Sequence, residues 1–390
     1  MRKLLILLVF TLVLAGTNAS AMTIKNGDDT IEVYGSVRAF TVFNHVDKSD
    51  VMAFSTDQFV IGLQSNSRAG VRWTRGNFFV NSEWGMAARD SNANNNVNVT
   101  LRYMYGQYTF DNGGKFRFGQ IPGISYSDGP FDRKLSADNG LQGFGTISDV
   151  RRVGINYEIN GFSISALSMR QDAGNVTNAN VLGGTFRELM PRIEAAYEVS
   201  SVRIGGSFVT STSYIPSVDA SGKAERKSNN VSAGHIAVSA NPKIADNTRF
   251  LVSGFYGVNS GLYDMGSLAI AEDYNEAISR SNRILPRQKE GPGKLDNTKA
   301  FGAAVGFLVD KFEAGFGIQS SSNDQWEENI NGMGFYANYK YRVSNFRITP
   351  EVGYINTGKN TGSGGIPKGA TEKTNGIWAL QFGLQFRMDI

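Results

Sequence analysis

The chain has 390 residues with no cysteine, 45 glycines and only 9 prolines, and its formal net charge is +4. The absence of cysteine excludes a disulfide framework and a thiolate metal site, and so small a charge excludes the basic surface that nucleic-acid binding requires. Many glycines with few prolines indicate tight turns rather than disorder, in a chain long enough for two or three soluble domains.

The first residues predict export. Arg2 and Lys3 precede an apolar run over residues 4–15, and Ala19-Ser20-Ala21 supplies the small residues of a signal-peptidase site. An uncleaved membrane anchor is the alternative, but the run is too short for a spanning helix. We therefore expect a signal peptide over residues 1–21 and a single domain over 22–390. No later stretch has 18 consecutive apolar residues, so a transmembrane helix is not predicted.

The exported part breaks into segments in which every second residue is apolar, the pattern of strands that are wet on one face. The last segment shows it best, with Phe382, Leu384 and Phe386 separated by Gly383 and Gln385. The pattern predicts sixteen strands, over residues 30–43, 61–74, 77–87, 97–110, 115–120, 152–159, 162–169, 187–199, 202–211, 231–241, 248–258, 299–309, 311–320, 333–343, 346–356 and 377–389.

The connections between these strands alternate between short and long. The short ones cover 75–76, 111–114, 160–161, 200–201, 242–247, 310–311 and 344–345, and the long ones cover 44–60, 88–96, 121–150, 171–186, 212–230, 259–298, 321–332 and 357–376. Five of the seven short turns have an aromatic residue on both sides. Sorted loops and an aromatic girdle are typical of an outer-membrane β-barrel and have no reason to occur in a soluble sandwich.

The third long connection, residues 121–150, is rich in Gly, Asp and Ser and does not alternate. A structureless loop of this length is uncommon in a compact domain unless it is functional, disordered or folded into a cavity. We expect it to fold into the lumen of the barrel and to narrow the pore.

Several short motifs resemble the general Gram-negative porins. They are Ser67-Arg68-Ala69-Gly70-Val71-Arg72-Trp73, Arg102-Tyr103-Met104-Tyr105-Gly106, Phe118-Gly119-Gln120 and Arg152-Val153-Gly154-Ile155-Asn156-Tyr157. The resemblance covers nearly all of residues 22–390 by topology. It implies an all-β, transmembrane antiparallel barrel of about sixteen strands, assembled as a homotrimer, with the third loop in the lumen. Those porins usually end in Phe, whereas this chain ends in Ile390.

The polar faces of the predicted strands place eleven basic and six acidic side chains toward the lumen. Arginines on a pore wall stay charged and attract anions, although each can instead pair with a wall glutamate or a loop acid. A loop that carries acids opposite such arginines would set up a transverse field that favours polar solutes. The predicted constriction consists of Arg38, Arg68, Arg72, Arg117, Asp128 and Asp132.

The sequence therefore predicts a passive outer-membrane channel for small hydrophilic solutes and ions, with a weak preference for anions. Two alternatives are a substrate-specific channel for anionic solutes, and a structural or adhesive surface barrel with a blocked lumen, suggested by the 259–298 loop. We predict no cofactor, no metal site and no enzymatic activity, because no nucleophile can be grouped with His45 or His235. The expected partners are outer-membrane lipid and, through the smooth outer face of the first strand, two further copies of the chain.

Overall fold

The computed structural model describes residues 21–47, 55–89, 98–135, 141, 143–147, 151–168, 185–188, 191–218, 224–259, 287–288, 295–322, 329–356 and 378–390. Its strands are β1 (Met22–Asn26), β2 (Asp29–Asp47), β3 (Ser55–Arg75), β4 (Phe78–Arg89), β5 (Asn98–Thr109), β6 (Lys115–Pro122), β7 (Arg151–Ile159), β8 (Phe162–Leu167), β9 (Thr185–Glu188), β10 (Arg192–Val199), β11 (Val202–Val218), β12 (Ala224–Ala240), β13 (Lys243–Ala245), β14 (Thr248–Val258), β15 (Arg287–Gln288), β16 (Leu295–Asp296), β17 (Lys299–Val309), β18 (Phe312–Ser322), β19 (Ile330–Tyr339), β20 (Tyr341–Val343), β21 (Phe346–Asn356) and β22 (Trp378–Asp389).

Sixteen of these strands form a closed antiparallel barrel. Each pairs with the next along the ring, and β22 pairs with β2 from Asp47↔Trp378 to Ser36↔Asp389, which closes the sheet. The members of the ring are β2, β3, β4, β5, β6, β7, β8, β10, β11, β12, β14, β17, β18, β19, β21 and β22. Closure removes the open sheet edges, which a membrane-spanning sheet cannot leave unpaired. The predicted fold class and the predicted number of strands are confirmed.

The remaining strands are short additions, most of them on the barrel. β1 pairs with the first residues of β2, in line with the end of β22, and β20 and β13 extend the turns beside β21 and β14. β15 and β16 form a separate two-stranded ladder inside the 259–298 connection, most of which lies outside the described residues, as does the predicted signal peptide up to residue 20.

Several predicted boundaries are wrong. β2 and β3 extend into the predicted loop 44–60, and the predicted strand 333–343 is divided into β19 and β20. The predicted strand 187–199 is two strands, β9 and β10, both paired with β11, with Pro191 between them. Proline has no backbone N–H for the ladder, so the break falls there. The predicted loop 212–230 instead continues β11 and β12 as a paired ribbon as far as Val218↔Ala224. This ribbon is too rich in Ser, Asn and charged residues to show an apolar alternation.

The short turns fall where the sequence predicts them, the first being shifted by one residue to 76–77. Asn160 and Gly161 have φ values of 48° and 80°. Two consecutive positive φ values form the type I′ turn that matches the twist of a hairpin and favours Asn-Gly. All the hairpins closed by the short turns lie at one end of the barrel.

The two faces of the strands reverse the arrangement of a soluble protein. Along β17, Ala300 and Ala304 face inward and are each 2% exposed, whereas Phe301 and Val305 face outward and are 51% and 47% exposed. The ring strands repeat this alternation, so that large apolar side chains form an outer belt. Such a belt suits contact with lipid, because in water these apolar side chains would remain exposed to solvent. No helix in the described part of the chain is long and apolar enough to cross a membrane.

Candidate functional site: the interior of the barrel

The described part of the third long connection contacts inward-facing side chains on many strands. Phe131, Leu141 and Phe144 are at most 3% exposed and form an apolar cluster with inward residues of β2, β14, β17, β19, β21 and β22. A second cluster joins Leu135 to Phe40 and Val42 of β2. The connection therefore has its own hydrophobic core against one side of the barrel interior.

The wall under this cluster is made of small residues. A Cβ added at Gly317 would overlap the backbone oxygen of Phe144, and one added at Gly334 would lie 2.9 Å from the Phe144 ring. Only glycine permits so close an approach of the loop to the strands. We call the inward face formed by Ala300, Ala304, Gly315, Gly317 and Gly334 the loop-packed wall.

Buried carboxylates of the wall bind the backbone of the loop. Glu351 on β21 accepts hydrogen bonds from the backbone nitrogens of Lys134 (2.5 Å) and Leu135 (3.1 Å). Glu313 on β18 accepts one from the backbone nitrogen of Asp132 (2.6 Å). Charge-assisted hydrogen bonds of this kind are stronger than neutral ones, so both glutamates fix the path of the loop.

The side chain of Asp132 is held between two lysines. It forms ion pairs with Lys134 and, at 2.8 Å, with Lys340, which also contacts Glu313 at 2.6 Å. Burial alone would raise the pKa of Asp132, but the charges and hydrogen bonds of Lys134 and Lys340 outweigh it and hold that pKa below its usual range. The Asp132 carboxylate is consequently charged at neutral pH and already has two cationic partners.

The start of the connection is fixed on the opposite side of the barrel. Glu194 on β10 accepts hydrogen bonds from the backbone nitrogen of Ile124 and the Ser125 hydroxyl, both at 2.7 Å. His235 Nε2 lies 2.7 Å from the Ser125 carbonyl oxygen, and its Nδ1 lies 2.9 Å from the Ser207 hydroxyl. A carbonyl oxygen can only accept, so Nε2 carries the proton.

The expectation that no nucleophile lies near His235 is wrong in its geometry, because pairing of β11 with β12 brings Ser207 beside it. The imidazole is 5% exposed, and a backbone carbonyl oxygen orients it. In a catalytic triad a carboxylate takes the place of that carbonyl oxygen. Its contacts attach the loop to the wall. His45 instead pairs with Asp57 at 2.6 Å.

On the remaining side of the interior, arginines and glutamates form ion pairs. Arg102 and Arg68 both approach Glu83, at 2.7 and 3.7 Å, and Arg72 lies 3.1 Å from Glu32. Arg117 lies 2.9 Å from Glu158. We call the inward face that carries Glu32, Arg68, Arg72, Glu83, Arg102, Arg117 and Glu158 the charged wall.

Open space lies against the charged wall. One cavity of about 640 Å³ is bounded by Arg117, Glu158 and Ser163, and a second of about 520 Å³ is bounded by Arg68, Arg72 and Glu83. Both are also bounded by Tyr103 and by Pro122 at the start of the loop. The shared residues make the two cavities neighbours, on the side of the interior that the apolar part of the loop does not cover.

The predicted constriction residues are thus separated into two groups. Arg68, Arg72 and Arg117 lie on the charged wall, and Arg38 is buried beside it at 4% exposure, with its Nε donating to Ser36. Asp132 is bound to lysines, and the Asp128 backbone closes a turn with Phe131 and Ile147. Their role in a constriction stays a prediction.

Sequence reasoning missed the anchoring roles of Glu313, Glu351 and Glu194. Alternation already places all three on inward faces, but it cannot show that they bind the loop backbone, which Glu194 does while it also pairs with Arg192 at 3.0 Å. These contacts depend on where the loop lies, which no local pattern encodes. Lys134, one partner of Asp132, was missed for the same reason, whereas Lys340 is one of the eleven inward basic residues, for which pairing with a loop acid was the alternative.

The barrel is similar to solved outer-membrane proteins. The outer membrane channel DcaP of Acinetobacter baumannii aligns with 95% of this chain and 100% of its own, at 16% identity and a TM-score of 0.60. OmpT of Vibrio cholerae, folded in vitro, aligns with 95% and 100%, at 14% identity and 0.51. OmpF of Salmonella typhi, in complex with daunomycin, aligns with 94% and 100%, at 15% identity and 0.50. No family model and no curated protein matches the chain. The fold is that of Gram-negative outer-membrane porins and channels.

Proposed function

We propose that this protein is an outer-membrane porin, a passive channel through which small hydrophilic solutes and ions diffuse. The observation that carries the proposal is the pair of adjoining cavities along the charged wall, inside a closed sixteen-stranded barrel with an apolar outer belt. The Glu313 and Glu351 anchors support it as well, since they hold residues 132–135 of the loop on the far wall and leave this space open.

A weak preference for anions belongs to the same proposal. Ion pairing reduces the bias but does not remove it: Arg68 and Arg102 share the single carboxylate of Glu83. Guanidinium groups cannot lose their charge at working pH, so an excess of them attracts anions. Loop acids add little here, because Asp132 is bound to Lys134 and Lys340.

The test is reconstitution of the protein in planar bilayers, with single-channel conductance and the zero-current potential measured across a salt gradient. The native channel should conduct and should prefer anions weakly, and the preference should grow as salt is lowered, because charge interactions are then screened less. Replacement of Arg38, Arg68, Arg72 and Arg117 by Gln should remove it. Absence of conductance, or a native preference for cations, would contradict the proposal.

The two alternatives predict different currents. A channel specific for anionic solutes would show conductance that saturates with solute concentration, whereas an adhesive barrel with a blocked lumen would show none. The cavities favour a channel over the blocked barrel. We also propose that the protein has no enzymatic activity, since the Ser207 and His235 pair is fixed to the loop.

Trimer formation is a further part of the proposal. The outer face of the first part of β2 consists of Ile31, Val33, Gly35, Val37 and Ala39, and Val33 and Val37 are 39% and 40% exposed. This part of the face has no aromatic side chain, and the first outward aromatic of the strand is Phe43. The first part of β2 therefore suits contact with another protein surface better than contact with lipid headgroups. Cross-linking in mild detergent should yield a trimer, and a product that is only monomeric would contradict it.

A further inference from the structure

Inward-facing tyrosines border the open space along the charged wall. The cavity of about 640 Å³, which we call the larger cavity, is bounded by Tyr103 of β5 and by Tyr126 of the third long connection. Tyr103 also bounds the cavity of about 520 Å³, together with Tyr34 of β2 and Tyr105 of β5. Because the interior of such a barrel is polar and wet, these rings offer solutes the apolar surface that the rest of the charged wall lacks.

Arginines hold two of these rings in place. The guanidinium carbon of Arg203 lies 4.3 Å from the centre of the Tyr126 ring. The guanidinium carbon of Arg151 lies 5.3 Å from the centre of the Tyr103 ring, and Tyr105 meets that ring edge to face at 6.3 Å. Contacts between a cation and a ring face are favourable and fix the orientation of both groups. The rings are therefore preorganised, and each also borders open space in which a solute can contact it.

The charged side chains that the structure places around the larger cavity balance one another. Arg117 pairs with Glu158 at 2.9 Å, and Arg203 pairs with Glu198 at 2.6 Å. The two carboxylates would repel an anion, and the two guanidinium groups would repel a cation. Carboxylates have several acceptor sites and guanidinium groups several donors, so paired groups can still form hydrogen bonds. The cavity therefore suits a neutral solute whose groups both donate and accept.

A sugar in its ring form combines these properties. Its hydroxyl groups lie around the edge of the ring and both donate and accept hydrogen bonds, whereas the C–H groups on its faces are apolar. Aromatic side chains bury apolar surface of this kind. The volume of the larger cavity also lies in the range of small-molecule sites, about 300–1,000 Å³. An acyclic polyol carries the same hydroxyl groups but has no flat apolar face.

We propose that the larger cavity binds neutral sugars in their ring form, which pack on the rings of Tyr103 and Tyr126 and place their hydroxyl groups on the two ion pairs. This inference rests on the proposed channel function, because the sugar reaches the cavity through the lumen. Tyr103 is the central residue, since it borders both cavities. A bound sugar occupies the solute path, so its passage saturates and it obstructs ions while it stays.

Glucose is the probe, and sorbitol, its acyclic reduced form, is the matched comparison. In planar bilayers, glucose should reduce the chloride current with saturation, whereas sorbitol should reduce it only in proportion to the added viscosity. Tyr103→Ala should raise the half-blocking glucose concentration about tenfold, the effect of losing one ring contact. Tyr103→Phe keeps the ring and should stay close to the native value.

Tyr256→Ala is the control for these variants, since Tyr256 on β14 faces outward and is 51% exposed. Its half-blocking glucose concentration should equal that of the native protein. Equal reduction of the current by glucose and sorbitol, or an unchanged half-blocking concentration in Tyr103→Ala, would overturn the site. Phenylalanine has an apolar ring and both charges, so it is tested in the same way. Saturating block by phenylalanine without block by glucose would overturn the assignment to sugars.

A second measurement does not depend on conduction. In a detergent that has no sugar head group, saturation-transfer NMR should show transfer of magnetisation from the protein to the C–H protons of glucose and not to sorbitol. The transfer should be lost in Tyr126→Ala, which alters only the loop, and kept in Tyr256→Ala. Transfer without any current would support the site and contradict the channel; current without block or transfer would do the reverse.

Discussion

The loop-packed wall and the charged wall belong to one barrel and are built by the same alternation, but they have opposite chemistry. The loop-packed wall offers alanine and glycine, against which Phe131 and Phe144 are buried. The charged wall offers paired arginines and glutamates that border open cavities. The difference indicates two separate roles: one wall holds the loop by apolar contact and backbone hydrogen bonds, and the other borders the cavities that we propose as the solute path.

The largest expected effect comes from removing the apolar contact between the loop and its wall. Phe144→Ala deletes a fully buried ring, a change that costs about 3–5 kcal/mol in a packed core, so the loop should detach from the wall. Single-channel conductance should then become larger and noisier. Phe382→Ala is the matched control, because Phe382 faces outward and is 49% exposed. Equal conductance in the native protein and Phe144→Ala would show that this contact does not position the loop.

A smaller effect is expected from the ionic anchor. The Asp132 side chain is 36% exposed, so solvent screens its pairing with Lys134 and Lys340 in part, and Asp132→Asn should loosen the loop less than Phe144→Ala does. The readout is again the frequency of current fluctuations. As the control, Asp246→Asn removes an aspartate that is 99% exposed beside Lys243 and should leave the current unchanged.

The same anchor gives a pH dependence. The folded pKa of Asp132 is below its usual value, so its stabilisation is fully present above the ordinary aspartate pKa of about 3.9 and is lost as the pH falls further, through the folded pKa. Current noise should therefore be constant from neutral pH down to about pH 4 and should rise below it. In Asp132→Asn this acid-induced component should be absent. Noise that rises between pH 7 and pH 5 would point to a different group.

The smallest effect is expected on the charged wall, where each substitution leaves a partner behind. Arg72→Gln leaves the negative charge of Glu32 without its partner, and Glu32→Gln leaves the positive charge of Arg72 without its partner. The two variants should therefore move the zero-current potential in opposite directions by similar amounts. Both shifts should grow as the salt concentration falls. A shift in the same direction for both variants would mean that the pair does not border the ion path.

The sequence predicts the barrel better than it predicts the interior. Strand number, the short turns and the inward parity of Arg38, Arg68 and Arg72 all follow from local patterns, because a strand has a period of two whatever its neighbours are. The assignment of partners does not follow. Glu351 and Glu313 have the same inward parity as Glu83, yet both bind the loop backbone, and the arginine nearest to Glu351 is Arg133 of the loop, at 3.7 Å.

Glycine shows the same limit. In the sequence, Gly317 reads only as a strand glycine, and its contact with Phe144 depends on a segment more than 170 residues away along the chain. Three arginines show the limit in another way. Arg347, Arg387 and Arg38 are far apart in the sequence, and only the register of β21, β22 and β2 makes them neighbours.

The most direct test of the two-wall account uses the absence of cysteine from the chain. Ser163→Cys places a single thiol at the cavity along the charged wall, and Ala304→Cys places one under Phe144 on the loop-packed wall. The measurement is the current through each variant in a planar bilayer while a charged, thiol-specific reagent is added. The account predicts that the current through Ser163→Cys falls while the reagent is present and that the current through Ala304→Cys does not change. Modification of both thiols at the same rate, or a current through Ser163→Cys that the reagent leaves unchanged, would contradict it.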